Sequence, residues 1–142
     1  MKPKTFDEVR NYLSGISAIN AGGCGISALA MALWVKKNEK QDVQFTFCYR
    51  RTFLGDYATN KRLLKCNQSL LVPQHVVILY KHRRYDCNGK IPSDKYKYSH
   101  RVSLNTLINT VNDIYSWNDA FDRDNVKNIE RKLNIKLPIE KD

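Results

Sequence analysis

The stretch "NAGGCGISALAMALWV", Asn20 to Val35, sets a cysteine between glycines where a loop turns into an apolar helix. Ile26, Leu29, Ala30, Leu33 and Trp34 recur at three- and four-residue steps, and Lys36, Lys37 and Asn38 supply a polar end. The segment therefore reads as the central buried helix, beginning at or just before Cys24. A thiol at a helix start meets unpaired backbone amides and the positive end of the dipole, both of which favour its anionic form. Gly22 and Gly23 leave the preceding backbone uncrowded, so a substrate carbonyl can approach the Cys24 amide, and both are expected to lie against substrate. The plainer alternative is that Cys24 is a small buried residue at the edge of a core.

Working outward, "TFDE" at Thr5 to Glu8 has the form of a capping box for a short first helix ending near Gly15, followed by an irregular loop to Gly23. Val43 to Tyr49 alternates Val43, Phe45, Phe47 and Tyr49 against Gln44, Thr46 and Cys48, the period of a strand whose Cys48 points away from the main core. Arg50 to Ser69 is irregular and basic and reads as a long connection with room for a short helix or strand. His75 to Lys81 is a β-rich apolar run that folds back at His82 and Arg83 onto a second strand, Arg84 to Cys87, with Asn88-Gly89 as a turn. Tyr96 to Val102 adds a further strand. Ser103 then caps a helix with Leu104, Leu107, Ile108, Val111, Ile114 and Tyr115 on one face, and a last helix runs from about Asp122 to Asn134. Helices first, strands in the middle and helices last give an α+β domain, and 142 residues make one domain spanning 1–142.

A cysteine nucleophile needs a base held in orientation and donors for the oxyanion. His75 opens an apolar strand, a rigid place from which an imidazole can face a helix end, and Asp86 on the next strand can orient its ring. The backbone N–H of Cys24 and the side chain of Asn20 are the expected oxyanion donors. Asp86 has a second reading, capping the Asn88-Gly89 turn through an Asx bond. His82 and His100 read as surface residues, and Cys87 receives no role. No CxxC, HxxxH or HExxH spacing is present and no phosphate loop or dinucleotide fingerprint appears, so neither metal nor cofactor is expected.

"NAGGCGISALAMALWV" followed by "HVVILYKHRRYDCNG" resembles the papain-like cysteine peptidase superfamily, whose members carry the Cys at the start of a central helix and the His and an acid or amide on the following sheet. The nearest motifs are those of leader peptidases that trim bacteriocin precursors, in which Cys-Gly opens the helix and a His-x-Val-Val/Ile-Leu strand precedes an Asp. NlpC-type cell-wall peptidases share the first two members, and transglutaminase-like proteins and arylamine acetyltransferases share the Cys, His, Asp order. The resemblance implies a papain-like fold: a central N-terminal helix carrying the Cys, packed on an antiparallel sheet, with helices at the C-terminus. It implies Cys24 as nucleophile, His75 as general base and acid, and Asp86 as orienting residue. The implied activity is cysteine-dependent amide hydrolysis of a peptide or isopeptide through a thioester, and the same triad serves acyl transfer or glutamine deamidation. The family's oxyanion donor is usually Gln, further ahead of the Cys than Asn20 stands here.

The net charge of +10 suits an acidic partner. It fits a peptide or protein substrate of that kind. It equally fits the competing class, a non-enzymatic basic protein of phage or viral type that binds nucleic acid or an acidic protein, with "CYRRTF", "YKHRRYD" and "KYKYSHR" interleaving aromatic and basic residues. "MKPKTFDEVRNYL" lacks the apolar core of a secretory signal and no stretch approaches a membrane span, so the expected location is cytoplasmic with the cysteines as thiols.

Overall fold

A helix buried almost all round organises the molecule. In the computed structural model, which describes residues 2–16, 24–66, 70–71, 73–86, 88–91, 97–115 and 123–139, the helix α2 runs over Cys24–Glu39 and buries every residue from Cys24 to Ala32 as well as Trp34 and Val35. Such a helix needs neighbours on several sides. Those are α1 (Phe6–Ser14), α4 (Leu104–Tyr115), α5 (Arg123–Leu133) and the sheet. Gly25 has a packing reason: a Cβ there would lie 2.9 Å from Val111 Cγ2, so the missing side chain lets α4 close on the first turn of α2.

The sheet has five antiparallel strands in the order β4-β3-β2-β1-β5, with β1 at Gln44–Tyr49, β2 at His75–Tyr80, β3 at Arg83–Asp86, β4 at Gly89–Ile91 and β5 at Tyr98–Val102. The architecture is α+β. Phe45, Phe47 and Tyr49 join Val76, Ile78 and the helices in the main core, whereas Cys48 and Val77 form a small separate cluster, so Cys48 does point away from the main core. It is nonetheless fully buried, as Thr46 is nearly so.

Boundaries moved in physically informative ways. Lys81 belongs to the turn rather than to β2: Tyr80 pairs with Arg83, which leaves Lys81 and His82 as a two-residue link with φ of 48° and 68°. Positive φ at both positions matches the twist of a tight hairpin. The fold-back is thus one residue earlier than His82-Arg83, and β3, Arg83–Asp86, begins at Arg83 rather than Arg84, while Cys87 lies outside the described residues. Asn88 does lie in a turn, but that turn leads into an additional strand, β4, with Gly89 at φ 138°. The segment read as a connection contains a ten-residue helix, α3 (Leu54–Leu63), between single 3-10 turns at Arg51–Phe53 and Leu64–Cys66. Thr5 caps α1 by accepting from the Glu8 N–H at 3.2 Å, and Ser103 caps α4 by accepting from the Thr106 N–H at 3.1 Å. Among the described residues no helix is long and apolar enough to cross a membrane.

Candidate active site

The hairpin register brings the first two polar groups together. Ile78 lies across from Tyr85, so one step further Asp86 faces Val77, and His75, two residues before Val77, projects on the same face as Asp86. Their side chains meet: His75 Nε2 lies 2.8 Å from Asp86 Oδ2, with both residues 7% exposed. The other carboxylate oxygen is also occupied. Asp86 Oδ1 accepts from the Asn88 N–H at 2.8 Å and from the Gly89 N–H at 3.1 Å, so the two readings of Asp86 are one arrangement. The β3–β4 turn holds the carboxylate, and the carboxylate holds the imidazole.

Cys24, first residue of α2, stands beside His75, close enough for its thiol to raise the pKa of the imidazole. Burial alone would push the His75 pKa down, but the hydrogen bond to Asp86, the neighbouring Cys24 and the negative charge of both outweigh it and raise it to about 9. For Asp86 burial opposes ionisation, yet His75 and the two turn amides prevail and hold the carboxyl below its usual range. An imidazolium therefore persists through neutral pH between two groups that can carry negative charge.

A second thiol stands at the same histidine. Cys48 is directly across from His75 in the β1–β2 ladder, a neighbour that the sequence did not reveal because it depends on strand register. It is fully buried, and burial pushes its pKa up to about 12. Cys24, 9% exposed and at a helix start, is the thiol suited to attack. Cys24, Cys48 and Cys66 are free thiols, the last of them exposed. The Cys24 amide is one of the first in its helix, which have no intrahelical acceptor. Asn20, Gly22 and Gly23, expected as oxyanion donor and substrate contacts, lie outside the described residues, as does Cys87.

Next to this group sits a second polar cluster. His100 is not a surface residue: it is half-buried across from Phe47, with Nε2 2.7 Å from the Tyr49 hydroxyl. Asn60 of α3 donates to the Tyr49 oxygen and to Leu71 O at 2.9 Å and accepts from the Leu71 N–H at 2.7 Å. Tyr57 and Tyr98 pack around these rings. The cluster fixes α3 and Leu71 against the end of the sheet. A separate cavity of about 320 Å³, lined by Leu33, Lys36, Phe45 and Val102 among others, lies at the opposite sheet end and does not reach the triad.

Comparison of the chain with family models, with curated proteins and with solved structures finds no match. The reading of the site rests on its own geometry.

Proposed function

We propose that the chain is a cysteine-dependent amide hydrolase of papain-like type, acting on a peptide or isopeptide bond. The observation that carries this is the convergence of three elements: Cys24 at a helix start stands beside His75, whose imidazole is hydrogen-bonded to Asp86. Cys24 attacks as the thiolate paired with the His75 imidazolium, and its sulfur bonds to the substrate carbonyl carbon. The developing oxyanion is met by the Cys24 amide, with Asn20 as the proposed second donor. Collapse of the tetrahedral species breaks the C–N bond, and the imidazolium protonates the leaving amine. His75 then draws a proton from water, the hydroxide carbon–oxygen bond forms and the thioester C–S bond breaks, restoring the thiolate and the imidazolium. Asp86 keeps the ring oriented and favours its charged form throughout. An amine in place of water turns the same cycle into acyl transfer.

Alkylation with iodoacetamide at neutral pH, followed site by site with mass spectrometry, tests the reading. Cys24 is expected to react faster than the exposed Cys66, and that advantage to vanish in His75→Ala. A Cys24 rate at or below that of Cys66, or one indifferent to His75, would overturn it. A binding protein without catalysis would have no need of the imidazolium at Cys24, so the same measurement separates the two classes.

A further inference from the structure

We infer that the α3 face beside the triad is a docking surface for an acidic, apolar segment of the substrate. This rests on the proposed peptidase reading and names the substrate class of that site. The segment from Arg50 to Cys66 carries Arg50, Arg51, Lys61, Arg62 and Lys65, all exposed, against a single half-buried Asp56. None of the five cations pairs with a carboxylate among the described residues. A surface helix that served only to cover the core would gain from mixed signs, whereas same-sign charge raises a local potential that gathers counter-charge.

Apolar groups stand among these cations. Phe53 and Leu54, at the start of α3, are 43% and 40% exposed, and Leu71 is 42% exposed, the three large apolar side chains most open to water among the described residues. Leu71 lies four positions ahead of His75 and is held to α3 through both backbone hydrogen bonds to Asn60. Tyr49, which Asn60 also contacts, follows Cys48, the cross-strand partner of His75. The cationic helix and the exposed Leu71 therefore stand at the same sheet end as the reactive thiol, where a bound chain would pass. Carboxylates with interspersed leucine-like side chains satisfy both features. A nucleic acid fits less well, because Tyr57, Tyr98 and His100 are half-buried and pack on one another, and Lys61 caps the Tyr57 ring.

Binding measured by fluorescence anisotropy on the full chain carrying Cys24→Ala decides the matter without using the chemistry. The probes are a short Glu- and Leu-containing peptide, its counterpart with Lys for Glu, and a single-stranded oligonucleotide matched in charge to the first. The acidic peptide is expected to bind about tenfold tighter than the Lys peptide, with the gap closing at high salt. Joint reversal by Arg50→Glu, Arg51→Glu, Arg62→Glu and Lys65→Glu should remove that preference, and Phe53→Ser with Leu54→Ser should weaken binding about threefold. Equal binding of the two peptides, insensitivity to the reversal, or tighter binding of the oligonucleotide would overturn the assignment. Failure of the catalytic reading shows elsewhere, as unselective alkylation of Cys24 with the acidic preference intact.

Discussion

A buried and a half-buried histidine, His75 and His100, lie at the same end of one sheet, and their pKa values move in opposite directions. His75 faces the Asp86 carboxylate and the Cys24 thiol, and its pKa rises to about 9. His100 faces the neutral Tyr49 hydroxyl. Burial pushes its pKa down, and the charge of Lys61 pushes the same way, against a weaker opposing hydrogen bond at Arg101. His75 is the more deeply buried of the two and yet the one whose pKa rises, so the partner, not the depth, decides the protonation state. One cluster favours a proton on its imidazole. The other, with Asn60 donating to the Tyr49 oxygen so that the hydroxyl proton can go to His100 Nε2, is a neutral strut for α3.

The largest effect expected from breaking this contrast is chemical. Cys24→Ser or His75→Ala should lower turnover of any peptide substrate by about a thousandfold or more while leaving the thermal midpoint nearly unchanged in the former, measured by product release and calorimetry. Asp86→Asn makes the first cluster resemble the second. An Asn oxygen can still accept from the Asn88 and Gly89 amides, so the turn should survive, but His75 should titrate well below 9 by imidazole NMR, and the rate should fall about a hundredfold or more.

The two clusters also predict a pH profile with separable flanks. A histidine whose folded pKa is raised adds stability that is complete below its unfolded value and lost as pH rises through the folded one, so His75 should cost stability between about 6.5 and 9. Asp86 acts in the other direction: its contribution is present above 3.8 and lost as pH falls through its lowered folded pKa. His100 likewise weakens the fold on acidification below 6.5. Thermal midpoints across pH should lose the alkaline decline in His75→Ala and keep it in His100→Phe; the reverse pattern would contradict the assignment of the two charge states.

Smaller effects probe the strut. Tyr49→Phe leaves His100 Nε2 without its partner and removes one of the acceptors of Asn60, and should cost about 1–3 kcal/mol in denaturant unfolding with less than about a twofold change in Cys24 alkylation. Ser27, 1% exposed with a hydroxyl that has no hydrogen-bond partner among the described residues, offers the smallest change: Ser27→Ala should stabilise the chain by about 0.5–1 kcal/mol.

What could be read along the chain was what local chemistry writes there. The apolar steps after Cys24 mark a helix and its start, the alternation of Val43 to Tyr49 marks a strand buried on its aromatic face, and His75 at the head of a β-rich run with Asp86 beyond a turn marks a hairpin bearing both. The helix α3, for which the sequence left room without placing it, buries Asn60 fully between the half-buried Tyr57 and Leu63, so a hydrogen-bonded polar clamp interrupts its apolar steps and periodicity does not mark it. The Lys81-His82 turn lacks Gly or Asn, because the pairing of Tyr80 with Arg83 imposes positive φ on residues that would not choose it alone. β4 is three residues long, too short to leave a pattern.

The sequence by itself determined the order of chemically capable groups and the elements that carry them, since periodicity, capping and residue type act over a few neighbouring positions. Only the tertiary structure decided which of them meet. Strand register put Asp86 beside His75, set Cys48 across from it and paired His100 with Tyr49, and helix packing over Gly25 brought the Cys24 thiol to the ring. Register and packing are fixed by contacts between residues far apart in the chain, so a proton-bearing His75 and a neutral His100 became distinguishable once their partners were in place.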